Sequence, residues 1–409
     1  MLFAHLADCH IGSWRDPKLR DTSTKAFEKA VDLCIDKKVD FIVISGDLFN
    51  TSLPSIDLLK QATKKLKELK DNDIPVYMIA GSHDFSPSGK TMLDVLEHAG
   101  LVKNVMKGGE IIENKIKLNF TVDKKTKAKI TGLFGKKGSL EKGYYEDLLR
   151  ENLEKEQGYK IFIFHSALTE LKPEEFKEMD SQPLSLLPKN FNYYAGGHPH
   201  FILEKQEKDY GLIAYPGPLF PNNFRELEKL ERGGFYLVNV ENENTSVEYQ
   251  PIQIHNVFKI KIDADHKTPE QVESEIREKI KSQEFNNTII TIRIEGTLES
   301  GKPSDINFKE IFDILYEKSA FFVMKNTNKL TTSEFEEIKT TAHSIEDVES
   351  SIIREHLQQI KVSDLTSDKE KTLIKDLMQQ LSTEKQEGET IATFENRIKG
   401  ELKNILNLE

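Results

Sequence analysis

Leu2-Phe-Ala-His-Leu-Ala-Asp-Cys-His10 is an apolar run that closes on Asp8 and His10, and Phe41-Ile-Val-Ile-Ser-Gly-Asp-Leu-Phe-Asn50 repeats the device with Asp47. Apolar runs of roughly four to eight residues, bounded by glycine and turn formers, read as strands buried on both faces. Three further segments have the same form. Residues 75–80 lead into Gly81-Ser-His-Asp84, Ile161-Phe-Ile-Phe164 into His165-Ser166, and residues 192–195 into Gly196-Gly-His-Pro-His200. Among the first strands, Phe27, Ala30, Val31, Cys34 and Ile35 recur at helical spacing over 21–38, and Leu58, Leu59, Ala62, Leu66 and Leu69 do so over 55–69. Buried strands alternating with helices predict an α/β fold whose helices cover a largely parallel or mixed sheet.

Ligands of open α/β sheets bind beyond the carboxyl ends of the strands, so these five loops are expected to meet in one crevice. Asp8 and His10 stand two apart, which on an extended strand end points both side chains the same way, and His198 and His200 repeat the spacing. Five of the eleven histidines lie in these loops. Taken singly, Asp-x-His and Gly-Asp are turns or caps, and His-x-His is a surface pair. Together, in order and each at a strand end, they have the composition of a two-metal centre. Carboxylates bridge cations, and imidazoles suit Mn, Fe, Zn or Co better than Mg or Ca. Two such ions ~3.5–4 Å apart activate a water and hold both oxygens of a phosphoester displacement.

The order DxH, GD, GxHD, H and GHxH resembles the calcineurin-like metallophosphoesterase superfamily. Phe3-Ala-His-Leu-Ala-Asp-Cys-His-Ile-Gly12, Ser45-Gly-Asp-Leu-Phe-Asn50, Tyr194-Ala-Gly-Gly-His-Pro-His200 and Tyr215-Pro-Gly217 look in particular like the SbcD-type DNA repair nuclease. The resemblance implies a four-layer β-sandwich flanked by helices, with a small α+β capping domain and a C-terminal helical segment. It implies two Mn²⁺, one held by Asp8, His10, Asp47 and His200, the other by Asp47, Ser82, His165 and His198, with Asp47 bridging. His83 would then be the catalytic histidine that is not a ligand, and Asp84 either orients its ring or caps the loop. Two positions depart from the family pattern: Ser82 stands where the family usually has Asn, and Asn50 where it often has His.

The chain has 409 residues, 37% hydrophobic and 31% charged, enough for two or three domains with real cores. Around residue 251 the pattern changes. Phe258, Ile260 and Ile262 alternate with polar residues, as do Ile290, Ile292 and Ile294, which predicts half-exposed strands. Helices are expected over about 268–281 and 307–318. We therefore expect a nuclease domain over 1–250, a capping domain over 251–328, a linker over 329–343 and a helical segment over 344–409. In that last segment Ile345, Val348, Ile352 and Ile360 make one apolar stripe; Leu373, Ile374, Leu377, Met378 and Leu381 make a second, and Ile391, Phe394, Ile398, Leu402 and Ile405 a third. By resemblance this segment would dock on an SbcC-type coiled-coil ATPase, and the helices near 54–70 and before Gly100 would form a homodimer.

Net charge is −11, so there is no whole-chain basic footprint for nucleic acid. Local cations can serve instead: Arg15, Lys18 and Arg20 follow the Asp-x-His loop and, with Asn50, are the expected DNA contacts. Trp14 lies among them, as a packing residue or a further contact. The lysines from 124 to 129 read as a solvated hairpin face. No run is long and apolar enough to cross a membrane, and two cysteines are too few for a disulfide framework. The expected setting is the cytoplasm at the nucleoid, or the nucleus of a eukaryote. The reading that follows is a Mn-dependent DNA exonuclease and endonuclease of double-strand-break repair. Its rivals are another dinuclear phosphoesterase, acting on cyclic nucleotides or phosphoproteins, and a weakly catalytic scaffold that binds DNA ends.

Overall fold

A computed structural model describes residues 1–86, 91–106, 109–112, 114–136, 140–242, 244–333, 366–383, 385, 389 and 391–406. In chain order the strands are β1 (Leu2–Leu6), β2 (Phe41–Ser45), β3 (Val76–Ile79), β4 (Lys103–Asn104), β5 (Glu110–Ile112), β6 (Lys115–Lys117), β7 (Thr121–Val122), β8 (Lys129–Leu133), β9 (Lys160–His165), β10 (Tyr193–Gly197), β11 (Leu203–Gln206), β12 (Leu212–Tyr215), β13 (Gly233–Glu241), β14 (Asn244–Ile252), β15 (Asn256–Asp263), β16 (Thr288–Leu298) and β17 (Phe322–Thr332). The helices are α1 (Pro17–Asp36), α2 (Ile56–Asp71), α3 (Met92–His98), α4 (Lys142–Glu146), α5 (Glu151–Glu154), α6 (Phe224–Leu230), α7 (Pro269–Ile280), α8 (Phe308–Glu317), α9 (Ser367–Leu381) and α10 (Ile391–Ile405).

Two six-stranded sheets carry the first part of the chain, ordered β14-β13-β1-β2-β3-β4 and β11-β12-β10-β9-β8-β7. Strands β1 to β4 are parallel, as are β8, β9, β10 and β12. Antiparallel strands close one edge of the first sheet and both edges of the second. The apolar runs are continuous because each sheet is covered on both faces. In β2, Phe41 and Val43 join a cluster with Ile161, Ile163 and Tyr193 of the other sheet, while Ile42 and Ile44 pack with Phe27 and Val31 of α1 and Leu66 of α2. In β9, Phe162 and Phe164 turn the other way, toward Tyr145 of α4 and Leu153 of α5. Alternate residues of one strand thus feed two different cores. The layers are helices, sheet, sheet and helices, the architecture implied by the resemblance.

The sheets are also pinned by a polar chain. Buried His5 bonds Tyr193 Oη through Nδ1 (2.8 Å) and Ser45 Oγ through Nε2 (2.9 Å), and Ser45 donates to the Ala195 carbonyl (2.9 Å). Burial lowers the His5 pKa to about 3, so this ring is a neutral core residue, as its alternation on β1 predicts.

The chain divides into two compact units. One comprises Met1–Lys261, Lys279–Arg293 and Lys309–Asn326; the other comprises Ile262–Glu278, Ile294–Phe308 and Thr327–Glu409. The expected helices at 268–281 and 307–318 are α7 and α8, and β15, β16 and β17 form one three-stranded sheet. Strand β15 alternates as its pattern predicts. Strand β16 differs: Ile289, Ile290, Thr291 and Ile292 are all buried, so its first half is covered on both faces rather than half exposed. The last strand runs to Thr332, past residue 328, where the sequence reading closes the capping domain. In the second unit α9 and α10 carry the second and third apolar stripes. The stripe of Ile345, Val348, Ile352 and Ile360 lies outside the described residues. Cys9 and Cys34 are both buried and free.

Candidate metal centre

Asp8 and His10 leave the end of β1, Asp47 the end of β2, and Ser82 and His83 the end of β3; His165 ends β9, and His198 and His200 follow β10. The loops are tightly turned. Asp8, His10, Asp47 and His198 all have positive φ, at 48°, 41°, 53° and 89°. L-residues there cost about 1–3 kcal/mol each, a strain typical of functional sites. Gly46, at φ 85°, could be no other residue: a Cβ would stand 2.4 Å from His165 Nδ1.

Asp47 is the hub. Its Oδ2 lies 3.2 Å from His165 Nε2, 3.7 Å from His10 Nε2 and 3.3 Å from Ser82 Oγ, and its Oδ1 accepts the His83 N–H at 2.7 Å. Asp8 faces the same space. Its Oδ1 is 4.0 Å from His165 Nδ1 and 3.9 Å from His200 Nε2. The Nε2 atoms of His10 and His200 are 3.2 Å apart. Among the described residues, three overlapping groups have ligand atoms within 4.8 Å of one another: Asp8, His10 and His200; His10, Asp47 and His83; and Asp8, Asp47 and His165. Ser82 presents its hydroxyl to the hub. His198 donates its main-chain N–H to both Asp8 oxygens (3.0 and 3.1 Å) and sets its ring 5.3 Å from that of His165.

The orienting contacts were not legible in the sequence. His165 Nδ1 donates to the Ser45 carbonyl at 2.7 Å, which leaves Nε2 buried, out of line for a hydrogen bond and facing Asp47. His200 Nδ1 donates to Glu226 Oε1 at 2.9 Å, the carboxylate–histidine pairing typical of metal ligands. Helix α6 holds Glu226 by its cap, since Asn223 accepts the Glu226 N–H (3.0 Å). His83 Nδ1 donates to the main-chain carbonyl of Asn50 at 2.8 Å. Asp84 does not orient that ring. Its buried carboxyl accepts three main-chain N–H groups, from Leu48 and Phe49 at 3.2 Å and Gly81 at 3.1 Å, and is the loop's cap. Asp84→Ala should therefore lower stability by about 3 kcal/mol, because three buried donors lose their acceptor, and Asp84→Asn by less. Denaturant midpoints of the two variants check this.

Burial is the largest single influence on Asp8, His10, Asp47, Asp84, His165, His198 and His200. It pushes Asp8 up to about 6, and Asp84 up to about 7 with help from the Asp47 charge. It drives His10 well below its ordinary value and His198 down to about 3. At Asp47 burial is outweighed by His165, His10 and His83, which hold the carboxyl well below the usual range. At His165 and His200 it is outweighed too: Asp47 and Asp8 lift the first to about 10, and Glu226 and Asp8 lift the second to about 9. Asp8 and Asp47 thus share a buried space with two imidazoles, His165 and His200, whose pKa values they help to raise. The donor set of carboxylate oxygens and imidazole Nε2 atoms fits divalent cations.

The expected DNA contacts divide. Arg15, Arg20 and Asn50 line one cleft of about 320 Å³, with Trp14 and Thr51, opening from the loops after His10 and Asp47. Arg20 also braces that loop, donating to the carbonyls of Trp14 (3.2 Å) and Arg15 (2.8 Å). The Trp14 indole donates to the Pro221 carbonyl at 2.9 Å. Lys18 is not a lining residue of the cleft; its ammonium sits over the rings of Tyr316 and Phe321. In the 124–129 hairpin, Lys125 pairs with Asp40 and Lys129 with Glu156.

Residues 1–201 match the family model described as calcineurin-like phosphoesterase. Three archaeal relatives carry the name DNA double-strand break repair protein Mre11. The one from Archaeoglobus fulgidus is 28% identical over 288 residues, covering 64% of this chain and 62% of that protein. The one from Sulfolobus acidocaldarius is 28% identical over 389 residues, 89% of this chain and 92% of that protein. The one from Methanocaldococcus jannaschii is 29% identical over 365 residues, 87% and 89%. The chain thus spans less than two thirds of the Archaeoglobus protein. With the DxH, GD, HD, H and GHxH loops drawn together at the ends of paired sheets, residues 1–201 form a calcineurin-like phosphoesterase domain.

Proposed function

We propose that this chain is a Mn-dependent DNA nuclease of double-strand-break repair, cutting duplex ends as an exonuclease and single strands or hairpins as an endonuclease. The observation that carries the reading is the convergence of Asp8 and Asp47 with His10, His165 and His200 at the strand ends of both sheets. Asp8, His10, Asp47 and His200 would hold one ion and Asp47, Ser82, His165 and His198 the other. When bound, the ions supply a nucleophile from water at neutral pH and neutralise charge on the phosphodiester. The protein's own groups do the rest. Asp47, gripped by the His83 N–H, fixes the loop of β3 against that of β2. His83, held at Nδ1 by Asn50, presents Nε2 to stabilise the transition state or to protonate the leaving oxygen. Arg15 and Arg20 offer charge to the DNA backbone beside that centre.

Assembly follows the same reading. The α2 and α3 region exposes Leu53, Ile56 and Val95, with Ile56 83% exposed, which supports a homodimer through these helices. In the helical segment Met378, Leu381 and Leu406 remain exposed, which supports docking of 344–409 on an SbcC-type coiled-coil ATPase. Among the described residues no helix is long and apolar enough to cross a membrane.

The test is cleavage of labelled duplex, hairpin and single-stranded DNA with Mn, Mg or chelator. We expect Mn-dependent cleavage that chelator abolishes; hydrolysis of phosphopeptides or cyclic nucleotides without DNA cleavage would replace this reading by another phosphoesterase. A chain ending at Thr332 should still cut single-stranded DNA but fail to co-purify with the ATPase. Unchanged affinity for the ATPase would remove the segment from that interface.

A further inference from the structure

We propose that Lys136 is a positioning residue for the loop that carries His83, acting through an aromatic box of Phe85, Phe134 and Tyr144. This rests on the reading of His83 as the acid of a phosphodiesterase. The Lys136 ammonium lies 5.0 Å from the ring centroid of Phe85, 5.2 Å from that of Phe134 and 4.3 Å from that of Tyr144, and donates to Tyr144 Oη at 2.7 Å. These distances are within cation–π range. The rings also contact one another: Phe85 and Phe134 are nearly parallel at 6.3 Å, and Phe134 meets Tyr144 edge-on at 4.9 Å. Among the described residues no carboxylate pairs with this ammonium, so ring faces and a phenol hold it.

The box lies where the two sheets meet the centre. Phe85 is two residues from His83, in the loop after β3 of the first sheet. Phe134 and Lys136 follow β8 of the second. Between them, Gly135 donates its N–H to the Ala80 carbonyl at 3.0 Å. It also packs so closely on His165 that a Cβ would stand 2.4 Å from that ring's Cδ2. The Phe134–Lys136 segment is thus wedged between the end of β3 and a metal-ligand candidate. The Lys136 N–H is itself anchored on Glu141 Oε2 at 3.1 Å.

The other anchors of the His83 loop all lie on the first sheet: Asp47 accepts the His83 N–H, Asn50 accepts its Nδ1, and Asp84 ties down Gly81, Leu48 and Phe49. Asp47 also faces His165 across the sheets, its Oδ2 3.2 Å from Nε2 but out of line for a hydrogen bond. The box and the Gly135 bond add a second tie between the His83 loop and the second sheet. A general acid loses its effect when displaced by a fraction of a hydrogen-bond length, so this cross-sheet tie belongs to catalysis rather than to bulk stability.

The test compares Lys136→Met, which keeps length and apolar contact, with Lys136→Arg, which keeps a cation for the rings. Full-length protein is assayed with Mn on single-stranded DNA and on bis(p-nitrophenyl) phosphate, whose leaving group needs no acid. Lys136→Met should lower kcat on DNA roughly 10-fold with KM and bound metal unchanged, lower the small substrate's hydrolysis less, and be largely rescued in Lys136→Arg. In the metal-free protein, hydrogen–deuterium exchange over residues 80–86 should rise in Lys136→Met and not in Lys136→Arg. A raised KM for DNA with unchanged kcat would make Lys136 a substrate contact and overturn the proposal. So would unchanged exchange over 80–86, or equal loss of metal and of both activities. If the unaltered chain cleaves no DNA, the nuclease reading fails, while the exchange measurement still decides for or against the clamp.

Discussion

Asp47→Asn should abolish tight divalent-metal binding and lower phosphodiester hydrolysis by about 10³-fold or more, because one carboxylate serves both halves of the centre. The substitution keeps the shape of the side chain, so His10, His165 and Ser82 still face its oxygen position. It removes the charge they face. Calorimetric titration with Mn and an assay of hydrolysis on the same preparation read the two losses. Retained tight binding would mean that Asp47 is not the bridge. The metal-free proteins should differ as well. His165 is lifted from its ordinary value to about 10 against the burial that opposes it, chiefly by Asp47. A group whose pKa is raised by folding gives its full stabilisation below its unfolded pKa and loses it as pH rises through the folded value. Metal-free wild type should therefore lose melting temperature between about pH 6.5 and pH 10, and Asp47→Asn should lose less.

What the sequence made legible follows from burial. Strands β1, β2, β3, β9 and β10 are covered on both faces, so each is a continuous apolar run that ends where solvent and chemistry begin. Strand β14 is Asn-Thr-Ser-Val-Glu-Tyr-Gln-Pro-Ile at a sheet edge, paired only with β13 in the register Gly233↔Ile252. Its apolar content is too low to announce a strand, and its pairing is a tertiary fact. Strand β8, Lys-Ile-Thr-Gly-Leu, was hidden by the same lack of contrast. Helix α1 begins a turn before the periodic stripe, because Asp16 accepts the Lys18 N–H and Pro17 takes the first helical position. Cap chemistry, not hydrophobic period, sets that end.

At the centre the residues that converge were legible and their supports were not. Ser45 and Asn50 act through main-chain carbonyls, which carry no residue identity. Glu226 is one of three glutamates in Arg225-Glu-Leu-Glu-Lys-Leu-Glu231, and only the cap at Asn223 selects it. Asp84 had two readings because its position beside His83 fits both; the three N–H groups it accepts decide for the cap. Asn50 departs from the family pattern in its side chain, yet its carbonyl still orients His83. The departure therefore falls on the cleft with Arg15 and Arg20 rather than on the orientation of His83.

His83→Ala separates two roles that the geometry leaves side by side. With His10 and Asp47, the His83 ring forms a group compact enough to hold an ion, and its ring lies 4.7 Å from that of His10. Its anchors favour the other role. The bond to Asp47 comes from the main-chain N–H and survives the substitution, so the loop stays on the hub. The bond from Nδ1 to Asn50 aims Nε2 as a proton donor would be aimed. We expect His83→Ala to retain its full complement of metal, with KM for DNA little changed and kcat lower by roughly 10²–10⁴-fold, the range of a lost general acid. The loss should be much smaller on bis(p-nitrophenyl) phosphate, whose leaving group departs without a proton. Added imidazole should restore part of the activity on DNA. The decisive pair of measurements is metal content against the leaving-group dependence of kcat. If the variant loses an ion, and both substrates slow alike, His83 is a ligand and the acid must be sought elsewhere in the centre.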